Sequence, residues 1–131
     1  MIVSLSSFFQ RFYIAAQGPL PNTVVHFWQM ILQCDVHIIV MLTDVSESSA
    51  ASGSTKGSSC MPYWPGKDGS TLELGGGFTV LKKFSTASHE EEGGYVTSTL
   101  VMTHKPSKTQ RTIWHLQVCL LFIMATVYRT N

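Results

Sequence analysis

The sequence predicts an α/β fold, and three observations carry that expectation. An amphipathic helix is written at about residues 22–33, an apolar β-branched run follows it at once, and the second half alternates strand-like runs with turn clusters. The helix opens at Pro21-Asn22-Thr23, where Pro is tolerated and Asn or Thr can cap the first free amides. Val24, Phe27, Trp28 and Ile31 then fall at i, i+3, i+4 and i+7, an apolar stripe for a core, while His26, Gln29 and Gln33 take the opposite, wet side. The helix is expected to stop around Cys34-Asp35. Val36-His37-Ile38-Ile39-Val40-Met41-Leu42 comes next, with the length and composition of a strand buried on both faces.

Beyond it, residues 46–59 are a different material. Seven of the fourteen are serine, with Gly53 and Gly57 among them, so a flexible solvated loop is expected. Met61-Pro62-Tyr63-Trp64-Pro65-Gly66 restores an aromatic anchor between turn residues. Phe78–Phe84, Tyr95–Thr103 and Arg111–Gln117 read as strands, separated by turns at residues 89–94 and 105–108. A sequential antiparallel meander is the simple expectation. On the middle strand Val96, Leu100 and Met102 share one face and Thr97, Thr99 and Thr103 the other.

Composition excludes several function classes. A chain of 131 residues fits one domain, and 44% hydrophobic with only 13% charged residues argues against wholesale disorder. A net charge of +1, without a basic stripe, leaves no footprint for nucleic acid. Cys34, Cys60 and Cys119 are odd in number and irregular in spacing, which points to free thiols in a reducing, cytoplasmic compartment. Met1–Phe9 lacks the charged start of a leader, and the apolar run Val118–Tyr128 is well short of the roughly 20 residues of a membrane span. The five histidines show no metal-ligand spacing. Gly75-Gly76-Gly77 lacks the Gly-Lys-Ser/Thr that would make it a phosphate cradle, and a turn is expected there. Glu90-Glu91-Glu92 reads as a solvated hairpin tip rather than a carboxylate site. No cofactor is implied.

Five motifs stand in order along the chain. They are Tyr13-Ile14-Ala15-Ala16-Gln17-Gly18-Pro19, then Thr23-Val24-Val25-His26-Phe27-Trp28, then Ile39-Val40-Met41-Leu42-Thr43, then Cys60-Met61-Pro62-Tyr63-Trp64-Pro65, and last Arg111-Thr112-Ile113-Trp114-His115-Leu116-Gln117. This series resembles the protein tyrosine phosphatase family over residues 11–117, with His26 where the family favours Asp and Ser59 where it favours a basic residue. The resemblance implies a mixed twisted sheet with the early helix on one face. It also implies that Tyr13, Gln17, Gly18, Pro19, Phe27, Trp28, Tyr63, Trp64, Pro65, Arg111 and His115 are family structural residues. Gln17-Gly18-Pro19 corresponds to a turn that the family packs against its active-site loop. Phe27, Trp28, Tyr63 and Trp64 have the size of core aromatics.

The family chemistry needs three groups. A cysteine thiolate attacks phosphotyrosine, an arginine six positions later clamps the phosphoryl oxygens, and an aspartic acid after Trp-Pro protonates the leaving group. Here Cys34 is followed at that spacing by Val40, Cys60 by Gly66 and Cys119 by Ala125, and Trp64-Pro65 is followed by Gly66. No catalytic, cofactor or metal residue of the family is therefore carried over, and no turnover is expected of the chain by itself. Residues 1–10 and 118–131 are expected to lie outside the family pattern. Val118–Asn131 has the look of intron read-through, or of the end of a non-catalytic short isoform that acts as a binding or decoy module. The product is expected to be marginal or unfolded alone, with sheet edges that invite aggregation. Phosphotyrosine proteins are the family's partners, and oligomeric state is left open.

Overall fold

A computed structural model describes residues 2–5, 11–42, 60–88 and 94–118. The expectations for residues 46–59, for Glu90–Glu92 and for the run after Val118 lie outside the described residues. Strands β1 (Ile2–Leu5) and β2 (Arg11–Ile14) pair antiparallel as a separate ribbon. Helix α1 (Val24–Gln33) follows, then β3 (Ile38–Met41), β4 (Thr71–Glu73), β5 (Phe78–Ser88), β6 (Tyr95–His104) and β7 (Thr109–Val118). The main sheet has the order β3-β7-β6-β5-β4. β4 to β7 are the antiparallel meander, and β3 joins parallel to β7, which makes the sheet mixed. The turn at Gly75–Gly77 places Gly76 and Gly77 at positive φ, 69° and 80°, as their lack of a Cβ permits. No helix among the described residues is long and apolar enough to cross a membrane.

α1 starts at Val24 rather than Asn22, because Thr23 is engaged elsewhere. Its Oγ1 accepts the Leu20 amide at 2.9 Å, closing the Leu20–Thr23 turn instead of capping the helix. At the other end the Val36 amide reaches back to the Ile31 carbonyl (3.1 Å) across Asp35, whose φ is 53°. That is the six-to-one bond of a Schellman stop, with Asp where Gly is usual.

The core lies on one face of the sheet. Val24, Trp28 and Ile31 of α1 pack on Phe78, Val80, Leu100, Met102 and Ile113, with Tyr63 and Trp64 beside them. One correction follows. β3 is not buried on both faces: among the described residues it is an edge strand, with Ile38 and Val40 exposed on the side away from α1. An apolar run has the same composition at the edge of a sheet as at its centre, so only pairing decides. β6 keeps the two faces expected of it, and Thr99 and Val101 are buried as well as Leu100 and Met102.

Candidate functional site

The family motifs converge at one end of the sheet. The turn after β2 brings Gly18 so close to Cys60 that a Cβ on Gly18 would lie 2.8 Å from the Cys60 Sγ. Beside it the Met61 amide donates to the Pro19 carbonyl at 3.0 Å, tying the two segments together. The Cys60–Pro65 corner then turns Tyr63 and Trp64 inward. The Trp28 indole N–H donates to the Tyr63 carbonyl (3.1 Å), so α1 is pinned to the corner by a hydrogen bond as well as by packing. Phe27, Trp28 and Trp64 surround the Tyr63 ring at centroid distances of 4.8, 6.2 and 4.5 Å.

The polar centre of this cluster is Tyr63 with His115. The Tyr63 hydroxyl and His115 Nε2 are 2.7 Å apart, and Trp64 lies against the imidazole at 4.4 Å. His115 is 1% exposed, and its Nδ1 has no partner among the described residues. Burial, and secondarily the charge of Lys82, pull its pKa down to about 4, so the ring is neutral. Burial pushes the Tyr63 hydroxyl above its ordinary value. Lys82 sits at the mouth of the Cys60–Pro65 corner. Its Nζ donates to the Gly66 carbonyl (3.0 Å) and stands 3.2 Å from Asp68. The Ser85 hydroxyl, with help from Lys82, holds the Asp68 carboxyl below its usual range.

A second polar group lies at the far end of α1. Arg111 of β7 donates to the Ile31 carbonyl (2.9 Å) and, more weakly, to that of Leu32 (3.4 Å), and it pairs with Asp35 at 2.8 Å. It thus occupies helix carbonyls that have no intrahelical partner. Between these two ends, Tyr13, Gly18, Phe27, Cys34, His37 and Cys60 line part of an open groove of about 860 Å³.

Of the residues expected from the motifs, the structure brings Gly18, Pro19, Phe27, Trp28, Tyr63, Trp64 and His115 into one cluster, with Pro65 buried alongside. Gln17 and Tyr13 are exposed on the rim, and Arg111 serves the opposite helix end. Lys82 was missed. Its signal was the period of two that sets it on the inward face with Phe78 and Val80. The Cys60 thiol is buried and its pKa raised by that burial, the reverse of what an attacking thiolate needs. Among the described residues no three metal-ligating side chains meet.

Comparison with known proteins identifies the family that the motif series resembles. The family model described as protein-tyrosine phosphatase matches residues 1–119, beginning ahead of Arg11 where the motif series starts. The chain is 42% identical over 107 residues to the mouse (Mus musculus) tyrosine-protein phosphatase non-receptor type 14, covering 80% of this chain and 8% of that protein. It is 40% identical over 107 residues to the rat (Rattus norvegicus) non-receptor type 21 phosphatase, with the same two coverages. To the human (Homo sapiens) non-receptor type 2 phosphatase it is 35% identical over 106 residues, covering 81% of this chain and 23% of the relative. The chain thus spans a small part of the length of these relatives. With its motifs assembled around Tyr63 and His115 and the family match running through residue 119, the chain belongs to the protein-tyrosine phosphatase family.

Proposed function

We propose that the chain is an N-terminal scaffold portion of a phosphotyrosine-hydrolysing domain, and that it does not hydrolyse phosphate esters by itself. The parent domain on this reading works on phosphotyrosine proteins through a cysteinyl-phosphate intermediate. The observation that carries the proposal is the Gly18–Cys60–Tyr63–His115 cluster, built from family motifs but holding no activated nucleophile. Its free thiols Cys34 and Cys60, and relatives named as non-receptor enzymes, support a cytoplasmic setting.

The pure chain and its Cys34→Ser, Cys60→Ser and Cys119→Ser variants, assayed on a phosphotyrosine peptide, are expected to release no phosphate above buffer. Turnover that disappears in one of the three variants would overturn the proposal. Transcript sequencing across Gln117–Val118 gives an independent check, and the proposal expects the main transcript to continue into a Trp-Pro-Asp segment. The alternative is a non-catalytic binding or decoy module, which the open groove beside α1 favours. It expects transcripts that run on into Val118 and end after Asn131.

A further inference from the structure

The turn that joins β6 to β7 presents a serine among basic residues. In His104-Lys105-Pro106-Ser107-Lys108 the basic groups stand three and two positions before Ser107 and one after it, and no Asp or Glu follows Glu92 in the sequence. Lys105, Pro106, Ser107 and Lys108 are all exposed. The front of the turn is seated firmly. The Lys105 amide donates to the Gly77 carbonyl at 3.0 Å, and a Cβ on Gly77 would lie 2.6 Å from the Pro106 Cδ. Past Pro106, the Lys108 amide closes the turn on the Lys105 carbonyl with a longer bond of 3.2 Å, and Lys108 has a φ of 54°. Ser107 thus lies on the loosely held side of an anchored turn.

A donor is already aimed at its oxygen. The Ser107 hydroxyl donates to Thr109 Oγ1 at 2.9 Å, and the Thr109 hydroxyl donates to the Ser107 carbonyl at 3.5 Å. With its one proton given to Thr109, Ser107 Oγ accepts from His104 Nδ1, 2.7 Å away. The core sets the direction of that N–H, because the imidazole lies against the ring of buried Phe78 at 4.4 Å.

We propose that Ser107 is a phosphorylation site for a serine/threonine kinase that reads basic residues, and that His104, Thr109 and the two lysines hold the product. ATP is the phosphoryl donor. A bond forms between Ser107 Oγ and the γ-phosphorus, the bond from that phosphorus to the bridging oxygen breaks, ADP leaves, and the hydroxyl proton passes to the kinase's base. The product carries about −1.5 to −2 charges at pH 7 and three acceptor oxygens, set among donors that the unmodified turn already gathers around Oγ. Ser85 also follows two lysines, but Asp68 holds both its amide and its hydroxyl, and Lys82 is buried, so the folded chain does not offer it. The turn lies about 20 Å along β7 from His115, and the proposal is independent of the reading of that cluster.

The full chain, incubated with ATP and the catalytic fragment of protein kinase C, which favours serines flanked by basic residues, tests this when the phosphate is located by peptide mass spectrometry. Phosphate is expected chiefly on Ser107, with that uptake absent from Ser107→Ala and about tenfold slower in the Lys105→Gln/Lys108→Gln double variant. In the phosphorylated chain the Lys108 amide is expected to exchange about tenfold more slowly than before. That gain should fade at 1 M salt, where the screening length is about 3 Å. His104→Phe keeps a ring against Phe78 but has no donor, and is expected to take up phosphate without the gain. Phosphate chiefly on another residue or on none, or a double variant modified as fast as the unsubstituted chain, would overturn the site. A Lys108 amide that phosphorylation leaves unchanged, or a His104→Phe variant that keeps the gain, would overturn the assignment of the groups that hold the phosphate.

Discussion

His115 has its ring in the core and only one of its two nitrogens hydrogen-bonded among the described residues. A neutral imidazole fits there and an imidazolium does not, which makes the residue a reporter of the whole cluster. Its folded pKa of about 4 lies below the ordinary 6.5, so between those values the unfolded chain binds the extra proton and the folded chain does not. Stability from this group is fully present above pH 6.5 and falls as the pH drops toward 4, by at most about 3 kcal/mol. Urea midpoints measured from pH 4 to 7 are expected to show that slope, and His115→Gln is expected to flatten it. Gly18 is the other single residue on which the cluster turns. Gly18→Ala would set its methyl 2.8 Å from the Cys60 Sγ and 2.9 Å from its Cβ. Neither the Pro19–Met61 tie nor the buried thiol leaves easy room, so a loss of about 1–3 kcal/mol in a denaturant titration is expected.

Among the elements, α1 is held at its middle and at its C-terminal end by residues distant in sequence. Trp28 is tied to the Cys60–Pro65 corner, and the last carbonyls are tied to Arg111, about eighty positions on. Arg111→Met leaves the Leu32 carbonyl without its donor, the Ile31 carbonyl with the Val36 amide alone, and Asp35 without its cation. A destabilisation of about 1–3 kcal/mol is expected, along with faster hydrogen exchange at Val36, whose amide closes the helix. Arg111→Lys, a point charge in place of a planar fork, should recover only part of it. These ties also mark what the sequence could and could not tell. The helix, its wet face and the three long strands were legible because periods of 3.6 and 2 are local properties. β4 was not legible, being three residues long among turn signals, and the β1–β2 ribbon was not read because β1 lies within residues 1–10, which were expected to fall outside the family pattern. The pairing of Tyr63 with His115 joins residues 52 positions apart, and no local pattern encodes it. At the site, the motif residues were identifiable from their spacing. Their division into a buried cluster, an exposed rim and a distant helix clamp came only with the packing.

At the scale of the molecule the governing fact is asymmetry: among the described residues one face of the main sheet is covered and the other is in large part exposed. α1 and the Cys60–Pro65 corner cover the first, burying Trp28 completely. Ile38, Val40, Phe84 and Trp114 stand about half exposed on the second, where the break in register between Lys82 and Phe84 aligns Phe84 with Thr99 and, one strand further, Trp114. Two residues of one type thus sit in opposite situations, and they should answer the same substitution differently. Trp28→Ala removes the central ring of the core together with its bond to the Tyr63 carbonyl. A loss of about 3–5 kcal/mol is expected, comparable with the whole stability of a small domain at about 5 kcal/mol, so cooperative thermal unfolding should vanish. Trp114→Thr takes an aromatic out of water and leaves a β-former in its place. The expected change is within about 0.5 kcal/mol, with higher solubility because that exposed apolar row is interrupted. Calorimetry of the two variants beside the unsubstituted chain is the measurement. If Trp114→Thr proves as damaging as Trp28→Ala, the second face is covered in solution, and the one-sided core described for this chain is wrong.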